Sequence, residues 1–373
     1  MKVKQKGEFI MNDFFDIAFK FYNRLGDDES RRLYQALVMY NLTKNDTFFC
    51  ELNNEKLIKY GIDIKDKLIR CGKKKVIFGA GVWGRRIKNL CSNIDFYCFV
   101  DNKKSGGYID GLKILSLEEM ILENPDACVI IATKKFAEEI ESQLISCGID
   151  QDHIVNMSDI ISEIDRKLVN DQYFDLPFLN HDIEEVFVDV GVFDAGSSLN
   201  FVRWANNDYK KIYLFEANPK FCKESEYNLK SKGITKYKMI HKGLWNEETT
   251  LTFYESPHDS EYNITLDEHN CFDKENEDKK NWIEHTIDVV KMDDCIDERV
   301  TFIKMDIEGS EANAIRGAER IIREYKPKLA ISVYHKKDDL WTIPKLIMEY
   351  NPTYKFYLRN YSLGYGESVL YAL

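Results

Sequence analysis

Long hydrophobic runs are missing from this chain. Nowhere does it approach the ~20 consecutive apolar residues that a membrane helix needs, so no segment is expected to span a bilayer. The opening stretch MKVKQKGEFIMNDFF is basic, but it has no apolar core of ~7–15 residues and no small-residue cleavage site. It does not read as a secretory signal, and a cytoplasmic protein is expected. Paired cysteines are missing too: nine run from Cys50 to Cys295 without one CxxC. That argues against a zinc ribbon or a disulfide framework and leaves them as small buried hydrophobes. Basic charge is scarce, with 52 Lys and Arg against 63 Asp and Glu and a net charge of −11. This is the wrong sign for a protein that tracks a phosphate backbone, so no nucleic-acid partner is expected and a small-molecule or carbohydrate substrate fits better. Internal repeats and low-complexity tracts are absent as well.

What is present is a globular composition, 44% hydrophobic and 31% charged, on 373 residues, more than one core usually serves. Residues 1–72 read as amphipathic helix. In DDESRRLYQALVMYNL, Asp27 or Asp28 can cap the start while Leu33, Leu37 and Tyr40 share a face, which suits docking or formation of a homo-oligomer. Residues 73–157 alternate apolar strands (KKVIFGAG, FYCFVDN, ACVIIAT) with amphipathic helices, the pattern of a parallel sheet covered on both faces. A polar helical linker, 158–183, leads to a second alternating region, 184–373. That region ends in two strands around NYSLGYGE, an antiparallel hairpin expected at a sheet edge.

Two glycine loops follow strands. In VIFGAGVWG, Gly79, Gly81 and Gly84 satisfy GxGxxG at the start of a helix, and Asp101 ends the next strand. The expected ligand is an anion at the helix N-terminus, with Asp101 on a ribose. The region is only about half of a full dinucleotide fold, so a mononucleotide or nucleotide-sugar fits better than a dinucleotide. Through VIFGAGVWG, FVDN and VIIAT it resembles the Rossmann-like domains at the N-termini of bacterial nucleotide-sugar acetyltransferases.

In the second loop, VFVDVGVFDAGSS, the place where pyrophosphate approach demands glycine is Phe193. Asp189 and Asp194 add negative charge there, so the loop is expected to prefer a ligand carrying an ammonium and a sulfonium, as S-adenosylmethionine (SAM) does. Glu216 ends the next strand in LFEANP and could accept both ribose hydroxyls, with Asn218 turning the chain away. The expected cofactor set is Asp189, Gly191, Asp194, Gly196, Ser197, Glu216 and Asn218. After the third strand, in HKGLWNEETT, His241, Gly243 and Leu244 could line an adenine pocket, although ordinary packing explains them equally well.

Through VFVDVGVFDAGSS, LFEANP and above all FIKMDIEGSEANAIRGAERII followed by PKLAISVYHKKDDLWTIPKLI, residues 184–373 resemble the FkbM-type methyltransferase family. The resemblance implies a class I, seven-stranded α/β methyltransferase domain with strand order 3-2-1-4-5-7-6. It also implies SAM as methyl donor, and often a hydroxyl on a sugar or related metabolite as acceptor. Asp306 and Glu308 then end the fourth core strand, beside the switch point where open α/β sheets bind ligands.

Methyl transfer needs mainly alignment, helped by a base that takes the hydroxyl proton. Asp306, Glu308 and His335 are the candidates. The three could also hold a divalent cation such as Mg²⁺. Against these stand plainer roles: Glu308 and Glu311 offsetting a helix macrodipole, and His335 as a neutral histidine at a strand end. The tract 256–285 is a long polar insertion expected to act as an acceptor lid. Two other readings stay open at this point: a nucleotide-sugar-modifying or NAD(P)-dependent enzyme run from GAGVWG, and a methyltransferase-like scaffold without turnover.

Overall fold

A computed structural model of the chain describes residues 15–65, 68, 73–170, 172–255, 264–265 and 283–373. Most of the expected lid, residues 256–263 and 266–282, lies outside the described residues. The chain divides into two compact units, one of residues 1–41, 171–361 and 366–373, the other of residues 42–170 and 362–365. Among the described residues no helix is long and apolar enough to cross a membrane.

The helical stretch 1–72 is divided between the units because its apolar faces enter different cores. In the first unit, Phe21 stacks edge-on against Phe356, and Asp27 caps the helix Asp28–Thr43 by accepting from the Ser30 amide at 2.8 Å. Arg359 pairs with Asp27 at 2.7 Å and with Glu29 at 3.3 Å, tying that helix to the sheet edge. Further along, Leu57, Ile62, Ile64 and Leu68 join the core of the second unit.

The second unit is built on β1 (Lys75–Phe78), β2 (Phe96–Val100), β3 (Tyr108–Ile109), β4 (Leu112–Leu115), β5 (Cys128–Ile131) and β6 (Ile154–Asn156), in the order β3-β4-β2-β1-β5-β6. All pairings are parallel except the β3–β4 hairpin. Alternation in the strands fills two cores at once. Ile77, Phe99 and Ile130 face one cluster, while Val76, Phe78, Cys98, Val100, Val129 and Ile131 face the other. The continuous apolar strands are therefore buried on both faces.

In the first unit β7 (Glu185–Val190), β8 (Tyr209–Phe215) and β9 (Tyr237–Ile240) form one half of a sheet. A separate sheet comprises β10 (Gly243–Leu244), β11 (Thr249–Glu255), β12 (Ile264–Thr265) and β13 (Ile283–Val290). The chain then returns to the main sheet with β14 (Phe302–Met305), β15 (Lys328–Ser332), β16 (Phe356–Asn360) and β17 (Ser368–Ala372).

The main order is β16-β17-β15-β14-β7-β8-β9. Numbered within this sheet it is 3-2-1-4-5-7-6, the class I methyltransferase arrangement. The closing hairpin sits at one edge, with β17 inserted antiparallel between β15 and β16. The chain switches direction between β7 and β14, so ligand-facing loops gather at the carboxyl ends of β7, β8, β14 and β15.

Candidate active site

The aspartate near the end of β7 is enclosed by protein groups. Asp189 is fully buried, and its Oδ2 accepts from both Ser197 and Ser198 hydroxyls at 2.6 Å. Its Oδ1 lies 3.1 Å from the Lys304 ammonium, on the neighbouring strand β14, and both side chains are buried. Lys304 also donates to the carbonyl of Gly191 at 2.6 Å. The negative charge expected to draw a cationic cofactor is thus balanced inside the protein. Asp189 and Ser197 instead brace the start of the helix Gly196–Trp204.

The loop itself is a run of left-handed backbone, with Gly191 at φ +78°, Phe193 at +52° and Ala195 at +68°. At Gly191 there is no substitute for glycine, because an added Cβ would lie 1.9 Å from the carbonyl oxygen of Asp306. The β7 and β14 loops therefore touch backbone to backbone, and this contact sets the floor of the site. Asp194 is exposed and accepts from the Gly196 amide at 2.8 Å, closing the turn locally.

Glu216, half-buried after β8, reaches back across this loop. Its Oε2 accepts from the amides of Val192 at 3.1 Å and Phe193 at 3.3 Å, and its Oε1 from Asn218 at 2.8 Å. Burial pushes its carboxyl above the usual range even though these amides pull it down. Each carboxylate oxygen has two lone pairs, so Oε2 is filled and Oε1 keeps one acceptor position for a further donor. Asn218 caps the helix Pro219–Ser231 through the Lys220 amide at 2.9 Å. Gly243 and buried Leu244 form β10 against β13; a Cβ at Gly243 would meet Val289 at 3.1 Å. His241 is exposed.

At the ends of β14 and β15 the structure brings together Asp306, Glu308 and His335. His335 Nε2 lies 3.5 Å from Asp306 Oδ1 and 3.6 Å from Glu308 Oε2, and its Nδ1 lies 2.9 Å from Glu311 Oε1. The His335 side chain is only 8% exposed, against 24% for Asp306 and 47% for Glu308. Burial pulls the imidazole down, but Glu311, Asp306 and Glu308 outweigh it and hold its pKa up at about 10. Glu308 is raised to about 7 by burial and by its carboxylate neighbours, against the pull of His335. Its backbone is left-handed, φ +52°, which points to a residue whose placement is over-determined by its surroundings.

Several members of this cluster escape a reading by motif. Glu311, fully buried, also accepts from the Ile307 amide at 2.9 Å, so it does more than offset a helix dipole. Tyr173 donates to Asp306 Oδ2 at 2.9 Å, and Tyr334 lies 3.4 Å from Asp306 Oδ1 and 3.3 Å from Glu367. Gln172 in turn donates to Glu367 at 2.9 Å. Tyr173 and Glu367 lie far from DIEGSE along the chain, and nothing local marks them. Lys304 did leave a signal, since a lysine inside the apolar strand FIKM must find a buried partner.

In the second unit, Gly79 turns with φ +110°, and a Cβ at Gly84 would sit 2.0 Å from the carbonyl oxygen of Gly79, so Gly84 lets the helix Val82–Leu90 pack on β1. A Cβ at Gly81 meets nothing within 4 Å. Asp101 accepts from the amides of Ala80 at 3.0 Å, Lys103 at 2.9 Å and Lys104 at 3.1 Å. Its carboxylate therefore ties down the loop.

Residues 189–361 match the family model of the methyltransferase FkbM domain, and residues 71–155 match that of the C2185-like, N-terminal domain. No curated protein matches the chain. Among solved structures, methyltransferase FkbM from Methylobacillus flagellatus KT is 20% identical, with 89% of this chain and 100% of that one covered and a TM-score of 0.48. An rRNA methylase from Streptococcus thermophilus is 14% identical, with 51% and 87% covered and a TM-score of 0.31. Aeropyrum pernix fibrillarin in complex with natively bound S-adenosyl-L-methionine is 11% identical, with 56% and 76% covered and a TM-score of 0.34.

Proposed function

We propose that the protein, whose residues 189–361 match the FkbM methyltransferase domain model, is a SAM-dependent O-methyltransferase whose acceptor is a hydroxyl of a sugar, a nucleotide-linked sugar or a related small metabolite. The observation that carries this reading is the meeting of two loops at the switch point of the sheet. The Gly191 backbone abuts Asp306, with Glu216 on the β8 side and Asp306, Glu308 and His335 on the β14–β15 side. SAM, when bound, supplies an electrophilic methyl group.

The residues fit such a cofactor in a particular way. Glu216 keeps one acceptor position, on Oε1, that would take a ribose hydroxyl, and Gly191, Gly196 and Phe193 would shape the turn beneath the amino-acid end. Gly243 and Leu244 would border the adenine. Asp189, Ser197 and Asn218 hold the frame. On the acceptor side, Asp306 and Glu308 would take the proton of an acceptor hydroxyl aligned with that methyl group. His335 offsets the charge of that pair. The chain's contribution is chiefly alignment, which the backbone contact at Gly191 fixes.

The GAGVWG loop of the second unit, with Gly79, Gly81 and Gly84 and with Asp101 bracing it through backbone amides, serves in this reading to hold a nucleotide or present a nucleotide-linked acceptor. Open space at Gly81 supports that role.

A ligand-stabilisation screen tests both sites. SAM and S-adenosylhomocysteine at 100 times their Kd are expected to stabilise the protein by about 2.7 kcal/mol, and labelled methyl from SAM is expected to appear on a sugar-containing acceptor. Stabilisation by NAD(P)H or UDP-sugars with none by SAM would replace this reading with an enzyme run from the second unit.

A further inference from the structure

We propose that His335 Nε2, Asp306 and Glu308 hold a divalent cation at the acceptor side of the site, with Glu311 fixing the imidazole from behind. Four observations lead there. The Nε2 atom is buried, makes no hydrogen bond, and points between two carboxylate oxygens at 3.5 and 3.6 Å. Donors about 2.0–2.2 Å from a shared ion lie some 3 to 3.6 Å from one another, and Nε2 stands at that separation from each of the two carboxylates.

The opposite ring nitrogen, Nδ1, is 2.9 Å from Glu311 Oε1, and that oxygen is itself held by the Ile307 amide. A carboxylate on the far nitrogen is the usual support of a metal-ligating histidine, because it fixes the tautomer and aims the free nitrogen. Asp306 is steadied by the Tyr173 hydroxyl at 2.9 Å. Finally, three carboxylates, those of Asp306, Glu308 and Glu311, lie within 3.6 Å of the one imidazole.

The donor set selects the ion. One imidazole with two carboxylates suits a first-row cation such as Mn²⁺ or Zn²⁺ better than Mg²⁺ or Ca²⁺, which prefer oxygen alone. Three protein ligands leave open positions on the ion. One of them could take the acceptor hydroxyl, so that the cation polarises the O–H bond before methyl transfer. That use of the ion rests on the methyltransferase reading, but its binding does not.

The test is therefore made without SAM. Mn²⁺ is titrated into the full-length protein and followed by electron paramagnetic resonance and calorimetry, with Zn²⁺ in a parallel calorimetric titration. One ion per chain is expected. H335A and D306N should abolish binding, and E311Q, which removes only the support of the ring, should weaken it by about 10- to 100-fold. Stabilisation by SAM, measured separately on each variant, shows whether the domain is still folded and whether the methyltransferase reading stands independently. Failure of the wild-type protein to bind either ion at millimolar concentration, or undiminished binding by folded H335A, would overturn the proposal.

Discussion

Replacing Lys304 with methionine tests the account of the β7 strand end most directly. The Lys304 ammonium lies 3.1 Å from Asp189 Oδ1, and the two side chains are 4% and 0% exposed. Methionine matches the aliphatic stem but leaves Asp189 as a buried carboxylate facing no cation, with only the Ser197 and Ser198 hydroxyls on its other oxygen. Breaking a buried pair by removing one partner costs about 3–5 kcal/mol. The loss should fall near the upper end, because Lys304 also satisfies the Gly191 carbonyl at 2.6 Å. Urea denaturation followed by tryptophan fluorescence reads the change, and D189N should show a loss of similar order.

The double variant K304M/D189N, with neither charge present, should be less destabilised than the two single losses together, by about 0.5–3 kcal/mol. A K304M protein as stable as wild type would refute the reasoning. So would a D189N protein of unchanged stability that had lost its affinity for SAM, since Asp189 would then be a ligand-facing charge after all.

Three further outcomes follow from the same geometry. G191A must place a side chain in left-handed backbone, which costs about 1–2 kcal/mol by itself, and its Cβ would lie 1.9 Å from the Asp306 carbonyl oxygen; a lower Tm and loss of SAM stabilisation are expected, and a variant matching wild type in both would argue against the loop contact. E216A should weaken SAM binding by roughly 1–3 kcal/mol if ribose hydroxyls bond to this carboxylate, and calorimetry showing unchanged affinity would remove it from the cofactor site. Burial would raise the Asp27 carboxyl, but Arg359 and Ser30 outweigh it and hold the pKa below the usual range. A depressed folded-state pKa contributes stability above the unfolded value near 3.9, lost as pH falls through the folded value. D27N should therefore cost roughly 1–3 kcal/mol at neutral pH, and its deficit relative to wild type should shrink below about pH 4 in a stability series.

Much of the architecture was legible along the chain because it is written in local patterns. Apolar strands alternating with amphipathic helices forced sheets buried on both faces, as Ile77 and Val76 show by entering opposite cores. The glycines at 79, 84 and 191 marked turns and close approaches, and DIEGSE marked the strand end that carries Asp306 and Glu308. The helical stretch 1–72 was less legible, because an amphipathic face reveals that it must be covered and not by what. Phe21 finds Phe356, while Leu57 and Leu68 join another core.

The chemistry of the site divides along the same line. By itself the sequence determined which residue types stand at the strand ends: a carboxylate near the end of β7, another after β8, a carboxylate pair after β14 and a histidine after β15. Only the tertiary structure decided which of those charges are available to a ligand. Lys304 turns Asp189 inward and Asp101 spends its oxygens on backbone amides, whereas Glu311, Tyr173 and Glu367 gather around Asp306 and His335 from distant segments. A charge is visible in sequence, but its partner is chosen by burial, and burial belongs to the folded chain.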